Sequence, residues 1–254
     1  MSAEHILPIL SQLRIIDDPA SYDRQLQIIC YPQRPYVLSF LNQHGVNLIY
    51  TNNEFREALL GSDCVLRDGV GLEIALRLLG LNCGMNCNGT DLIPSILQKK
   101  GGCKVATFGT KDPWLEKSCE YIKSTGSSVV SKVEGFNQDQ FYVLEMQRTK
   151  PDIIILGMGM PRQEELSIKL AQNCDHACLI INGGAILDFL GQRFSRAPRM
   201  IRTLRLEWMF RLFLEPRRLF KRYVAGGLTF IFRILCLVWH ARINNMNFRI
   251  STKD

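Results

Sequence analysis

Pro151-Asp152-Ile153-Ile154-Ile155-Leu156-Gly157-Met158-Gly159-Met160-Pro161 is the stretch on which the fold turns. Its apolar run is too short for a core helix, so it reads as a strand covered on both faces, with a glycine turn at its end. The same succession recurs on both sides. Downstream, Ala177 to Ile181 runs into Asn182-Gly183-Gly184. Upstream, Lys104 to Phe108 ends at Gly109, and Asp112-Pro113 opens a helix with a capping residue and a proline at its first position. Cys64-Val65-Leu66 leads into Arg67-Asp68-Gly69-Val70-Gly71 and an amphipathic helix from Leu72 to Leu79, stopped by Gly80. Val129, Val130 and Val133 mark another strand. Val46 to Tyr50 reads as one more, ending at Thr51-Asn52-Asn53 ahead of a helical stretch from Glu54 to Leu60. Strand, glycine turn and helix in this alternation predict an α/β fold: a Rossmann-like, mostly parallel sheet with helices on both faces.

The chain of 254 residues is 46% hydrophobic, which excludes a disordered or collagen-like polymer and allows one large α/β domain or a domain with an appendage. Charge divides it. From Arg193 onward there are 14 Lys/Arg against Glu207, Glu215 and Asp254, a net of +11, whereas residues 1–192 hold 17 basic against 21 acidic residues, a net of −4. Among the nine cysteines, neither Cys83/Cys87 nor Cys174/Cys178 has the two-residue gap of a zinc knuckle or redox pair. They read as buried free thiols in a reducing compartment; a zinc site shared by both pairs, with His176 inside the second, is a remote alternative. The amino terminus carries Glu4 where a secretory signal needs positive charge, so no secretion is expected. Leu228 to Trp239, the longest apolar run, is broken by Arg233 and falls short of the ~20 residues a spanning helix needs. It is expected to lie on a membrane at most.

The basic tail reads as two helices, one from Pro198 through Trp208 to Leu214, the other restarted by Pro216 and ended by Gly226-Gly227. Arginines interleaved with large apolar side chains suit an anionic membrane face. A solvated helix pair packed on the body fits the same residues equally well.

Ligands of open parallel sheets bind outside the carboxyl ends of the strands. Polar residues expected there are Thr51 and Asn53, Asp68, Gln163-Glu164 and Asp188. Asp68, followed by two glycines, is a carboxylate that a ligand can approach closely, although turn aspartates more often cap helices. Gly157-x-Gly159 departs from the dinucleotide fingerprint at Arg162, which stands where the third glycine belongs, so hydride transfer ranks low.

In chain order, Thr51-x-Asn53, Asp68-Gly69-x-Gly71, Gly89-Thr90-Asp91-Leu92, Gly157-x-Gly159-x-Pro161-x-Gln163-Glu164, Gly183-Gly184 with Asp188, Arg196-Ala197-Pro198, Leu206-Glu207-Trp208, Arg211 and Glu215-Pro216-Arg217-Arg218-Leu219 resemble the WecG/TagA/CpsF family of bacterial glycosyltransferases. The resemblance runs from about Val46 to Tyr223. It implies an inverting transferase that moves N-acetylmannosamine or a related hexose from a UDP-sugar to a saccharide on undecaprenyl diphosphate, in synthesis of cell-surface polysaccharides. Location on the inner face of the cytoplasmic membrane follows from it, as do two expected units: a catalytic, UDP-sugar-binding domain over residues 1–195 and a helical appendage over 196–254 that binds membrane and lipid diphosphate. By motif position Asp68 is the general base; Thr51, Asn53, Gln163 and Asp188 contact the donor; Arg211, Arg218, Lys221 and Arg222 grip the lipid diphosphate. The implied partners are the donor, the polyprenyl-linked acceptor and an anionic membrane surface, and a homo-oligomer stays open.

Arg67 replaces a proline common in the family, and an arginine there would lower the pKa of Asp68 or contact the donor diphosphate. Met85-Asn86-Cys87-Asn88 lacks an arginine often found in that segment, and Gly191 sits one place early, so the particular sugar is the least fixed part of the reading. No cofactor is expected; with no Asp-x-Asp pair present no metal ligand is assigned, and metal dependence stays open. The rival is a nucleotide-binding module whose basic tail holds nucleic acid, but an arm of that kind has little use for so many large apolar residues.

Overall fold

The computed structural model describes residues 3–243, the side chains of Ala3 and Arg218 excepted. The chain runs through α1 (Leu7–Gln12), β1 (Leu13–Arg14), α2 (Pro19–Cys30), β2 (Tyr36–Leu41), α3 (Gln43–Thr51), α4 (Asn53–Leu60), β3 (Cys64–Arg67), α5 (Val70–Leu78) and α6 (Gly89–Lys99). Then follow β4 (Lys104–Gly109), α7 (Trp114–Ser124), β5 (Ser128–Val133), α8 (Asp139–Thr149), β6 (Ile153–Gly157), α9 (Arg162–Gln172), β7 (Leu179–Asn182) and α10 (Ile186–Leu190). The tail holds α11 (Arg199–Thr203), α12 (Glu207–Leu214), α13 (Pro216–Phe220), a π-helical turn (Lys221–Ala225) and α14 (Gly226–Ile243).

The seven strands form one sheet in the order β1-β3-β2-β7-β6-β4-β5, and every pairing is parallel. Side chains of a strand alternate between faces, and the central run shows it. Ile153 and Ile155 pack with Val105, Leu179 and Ile181 under α2, α6, α7 and α10, while Ile154 and Leu156 pack with Phe108 and Ile180 under α8 and α9. A third cluster joins Leu41 and Val65 to α1, α3, α4 and α5, and Phe230, Ile234 and Leu237 of α14 close it. The expected parallel α/β architecture is therefore what the chain adopts.

Several local expectations need correction. Val46 to Tyr50 is helical, inside α3. Its buried positions, Val46 and Ile49, are three apart as a helix face requires, and Asn42 caps the helix by accepting from the amides of His44 and Gly45. The strand is Tyr36–Leu41, an apolar run that periodicity alone cannot tell from a buried helix. α7 begins at Trp114, with Pro113 in the cap position and the Asp112 carboxylate accepting from the Glu116 amide at 3.0 Å. The helix expected from Pro198 breaks at Arg205, which takes φ 61° and pairs its guanidinium with Glu73 on α5.

Gly226-Gly227 does not end a helix. The helical path runs on from Lys221 to Ile243, 23 residues whose most apolar 18-residue stretch has a mean hydropathy of 1.7, which by length and composition is enough to cross a membrane. The helix is therefore longer than the run from Leu228 to Trp239, and its length alone does not set it below that of a spanning helix. Tertiary contacts outweigh the two glycines: Asn47 Nδ2 donates to the Gly226 carbonyl at 2.7 Å. Arg233, the charge inside the apolar run, donates to the Asn47 carbonyl at 2.7 Å and lies over the Tyr50 ring. At 100° per residue, buried Phe230, Ile234 and Leu237 face away from exposed Leu228, Ile231, Leu235 and Trp239. α14 is thus apolar on the side that meets the body and on the side that does not.

Phe230→Ala is expected to lower stability by about 3–5 kcal/mol by opening a cavity in the third cluster. Leu235→Ala, on the exposed face, should stay within about 0.5 kcal/mol. Urea unfolding of both variants measures the difference.

Candidate active site

Asp68 leaves β3 at the carboxyl edge of the sheet, where its amide donates to the Leu41 carbonyl at 2.8 Å. That bond ties the turn after β3 to the end of β2 and brings Asn42 alongside. The Oδ1 of Asn42 is occupied by the α3 cap, and its side chain hydrogen-bonds the Asp68 carboxylate. Gly69, at φ 84°, lets the chain turn back, and its amide donates to Asn86 Oδ1 at 3.0 Å. Burial raises the pKa of Asp68, while Arg211, the Asn42 hydrogen bond, Arg222 and Arg67 oppose the rise in that order.

Arg211 on α12 and Arg222 in the π turn therefore reach the field of a carboxylate more than a hundred residues away in sequence. Arg222 also acts on His44, whose pKa falls to about 4, chiefly through burial. Glu207 on α12 is raised, first by burial and further by Asp91 and Asp68, with Arg196 and Arg211 opposing. Arg196 pairs with Asp91 at 2.5 Å and lines a pocket of about 510 Å3 with Thr90, Ile186, Phe189 and Phe194. The Arg211 guanidinium sits 5.0 Å above the Phe189 ring, so pocket and carboxylate share a wall. A volume of this order accommodates a ligand of nucleotide size.

Other expected residues are placed differently. Thr51 closes α3, exposed, with its hydroxyl turned back to the Asn47 carbonyl, and Asn53 opens α4, also exposed. Neither follows a strand, and the amide that does, beside Asp68, is Asn42. Gln163 is 1% exposed, and its Oε1 accepts from the amides of Gly159 and Gly184, each at 3.0 Å. It pins the turns after β6 and β7 together. Asp188 on α10 accepts from Thr110 Oγ1 at 2.5 Å and from Arg193 at 3.2 Å. Lys221 is exposed, and the side chain of Arg218 lies outside the described residues. Arg67 is 3% exposed and donates to the carbonyls of Cys83, Gly69 and Gly84 and to Glu73. Its charge lowers Asp68 as expected, but its guanidinium braces a loop and has no free edge for a donor diphosphate.

The sequence model of the glycosyl transferase WecG/TagA/CpsF family matches residues 14–244. The chain belongs to that family. The match takes in the basic helices through α14, so this WecG/TagA/CpsF glycosyltransferase carries its tail as part of the family unit. Three relatives named N-acetylglucosaminyldiphosphoundecaprenol N-acetyl-beta-D-mannosaminyltransferase are similar over about two thirds or more of their own length. The Bacillus spizizenii protein is 28% identical over 66% of each chain. The Bacillus subtilis protein is 25% identical over 72% of this chain and 73% of its own, and the Staphylococcus aureus protein 24% identical over 70% and 72%.

In this glycosyltransferase, Asn42, His44, Glu207 and the bracing role of Gln163 escaped sequence reasoning. Asn42 could have been found had Tyr36–Leu41 been taken as a strand, since it is the first polar residue past that run. Glu164 is also buried. Its Oε1 accepts from Gln163 at 2.8 Å, its Oε2 has no hydrogen-bond partner, and burial pushes its pKa up to about 8. A carboxyl that holds its proton in the folded state and releases it at about 4.5 when unfolded makes stability fall as pH rises between those values. Glu164→Gln should flatten that decline, which thermal unfolding at a series of pH values from 5 to 8 would register as a shrinking gap at low pH and a gain over wild type at high pH.

Proposed function

We propose that this enzyme is an inverting hexosyltransferase that moves N-acetylmannosamine or a related sugar from a UDP-sugar to a saccharide carried on undecaprenyl diphosphate. The observation that carries the reading is Asp68, a half-buried carboxylate at the sheet edge whose pKa burial raises and the charges of Arg211 and Arg222 of the tail lower. The names of the relatives supply the acceptor and the sugar. In the reaction, the acceptor hydroxyl attacks the anomeric carbon from the face opposite UDP and passes its proton to Asp68. The glycosyl–phosphate bond breaks, and UDP leaves with the electron pair.

The donor occupies the pocket beside Arg196 and Phe189. Asn42 takes the position given to Thr51 and Asn53, Asp188 orders the pocket rim through Thr110 and Arg193, and Gln163 acts by fixing the turns. Arg211 and Arg222, with Arg218 and Lys221 on the same segment, grip the lipid diphosphate, for which guanidinium forks are suited. The division of labour is residues 1–195 for chemistry and 196–254 for membrane and lipid. The exposed apolar stripe of α14 gives this surface a footing on the inner face of the cytoplasmic membrane. Nucleic acid, by contrast, offers no complement to Leu228, Ile231, Leu235 and Trp239.

Asp68→Asn should lower kcat by about 10²–10⁴-fold with the donor KM and the unfolding midpoint little changed, measured as UDP release from UDP-N-acetylmannosamine with a lipid-diphosphate N-acetylglucosamine acceptor. Wild-type turnover in that variant would remove Asp68 from the chemistry. Because α14 closes the third core cluster, the membrane contact is better tested on its outer face than by truncation. The double substitution Ile231→Glu, Leu235→Glu should weaken co-sedimentation with anionic vesicles about tenfold or more and leave binding of soluble donor intact. Undiminished vesicle binding would assign that stripe another task.

A further inference from the structure

The loop between α9 and β7 reads Asn173-Cys174-Asp175-His176-Ala177-Cys178 and lies at the amino end of β7, the edge of the sheet opposite Asp68. All cysteines of the chain are free thiols. The Sγ atoms of Cys174 and Cys178 and a ring nitrogen of His176 lie within 4.8 Å of one another, the one group of three or more such donors among the described residues. We propose that Cys174, His176 and Cys178 form a binding site for a zinc-class divalent cation at this edge.

Geometry and proton placement carry the proposal. A tetrahedral ion with sulfur ligands at about 2.3 Å and nitrogen at about 2.05 Å sets sulfur and nitrogen about 3.6 Å apart. Cys174 Sγ stands 3.5 Å from His176 Nδ1. The other ring nitrogen, Nε2, is 3.0 Å from the Pro151 carbonyl, which can only accept, so the neutral ring carries its proton there and presents the Nδ1 lone pair inward. Metal-bound histidines are oriented by a hydrogen bond of this kind. The Nδ1 lone pair then meets Cys174 Sγ on one side and Asp175 Oδ1, 3.1 Å away, on the other. As a thiol Cys174 donates to the His176 carbonyl at 3.3 Å; as a thiolate it leaves three electron-rich atoms facing one another, an arrangement that a cation among them satisfies. Cys178 is buried at the start of the strand, Cys174 and His176 are half-buried, and Asp175 is exposed and tied to Lys150 at 3.0 Å. Solvent therefore supplies the fourth vertex. A bound ion would clip the end of α9, the start of β7 and the segment before β6, through Pro151, into one unit.

Titration of the reduced full-length protein with Co2+ tests the site. The expected result is about one equivalent bound, with the near-ultraviolet thiolate-to-cobalt charge-transfer band and the visible bands of a tetrahedral ion, both displaced by Zn2+. Cys174→Ser and His176→Ala, at half-buried positions, should each weaken binding about tenfold or more, while Cys83→Ser leaves it unchanged. Absence of the band in wild-type protein overturns the proposal. So does a band that survives at full affinity in Cys174→Ser.

Discussion

A carboxylate withdrawn from water keeps its charge only where cations or donors stand close to it. Asp68 is such a group, and much of the chain is arranged around it. β2 and β3 lie side by side so that Asn42 can donate to it, and the tail folds back over the sheet edge so that Arg211 and Arg222 face it. Neither half is complete alone: without the tail Asp68 would keep only Asn42 and Arg67 against the effect of burial, and without the body Arg211 and Arg222 would lose Asp68. The acidic body and the basic tail thus meet, through Asp68, Arg211 and Arg222, at one site.

The tail is held there by α14, whose composition sets a second constraint. A helix apolar all round must be covered on every side, by protein or by lipid. The body covers one face through Phe230, Ile234 and Leu237, and Asn47 absorbs Arg233, the charge that would otherwise interrupt it. The outer face, with Trp239 at 68% exposure and Leu228 at 67%, has no protein cover among the described residues.

The sequence was most readable where a strand and its turn carry unambiguous residues. Ile153 to Leu156 flanked by Pro151 and Gly157 admits one interpretation, and so do Asp68-Gly69 and Asn182-Gly183-Gly184. It was least readable where identical local composition serves two structures. Tyr36–Leu41 and Val46–Tyr50 are both short apolar runs; what separates them is that Asn42 caps the second from outside, a hydrogen bond that composition does not display. Asn42 and Glu207 converge on Asp68 by folding rather than by spacing, so their part in the site is visible only in three dimensions, whereas Arg222 was legible by motif position and only its approach to Asp68 was not. Gly226-Gly227 failed as a stop signal because the residues that follow, Phe230, Ile234 and Leu237, bury one helix face against the body, a tertiary gain that local sequence does not display.

In many nucleotide-binding α/β folds, free backbone amides at glycine turns cradle the phosphates. Here the amides of Gly159 and Gly184 are already spent on Gln163 Oε1. On the function proposed above, phosphate recognition moves from the main chain, which no substitution can delete, to arginine side chains, which a single codon change can. The sheet keeps its rigidity while the grip on the diphosphate becomes evolvable, open to retuning for a different lipid-linked acceptor without disturbing the fold beneath it.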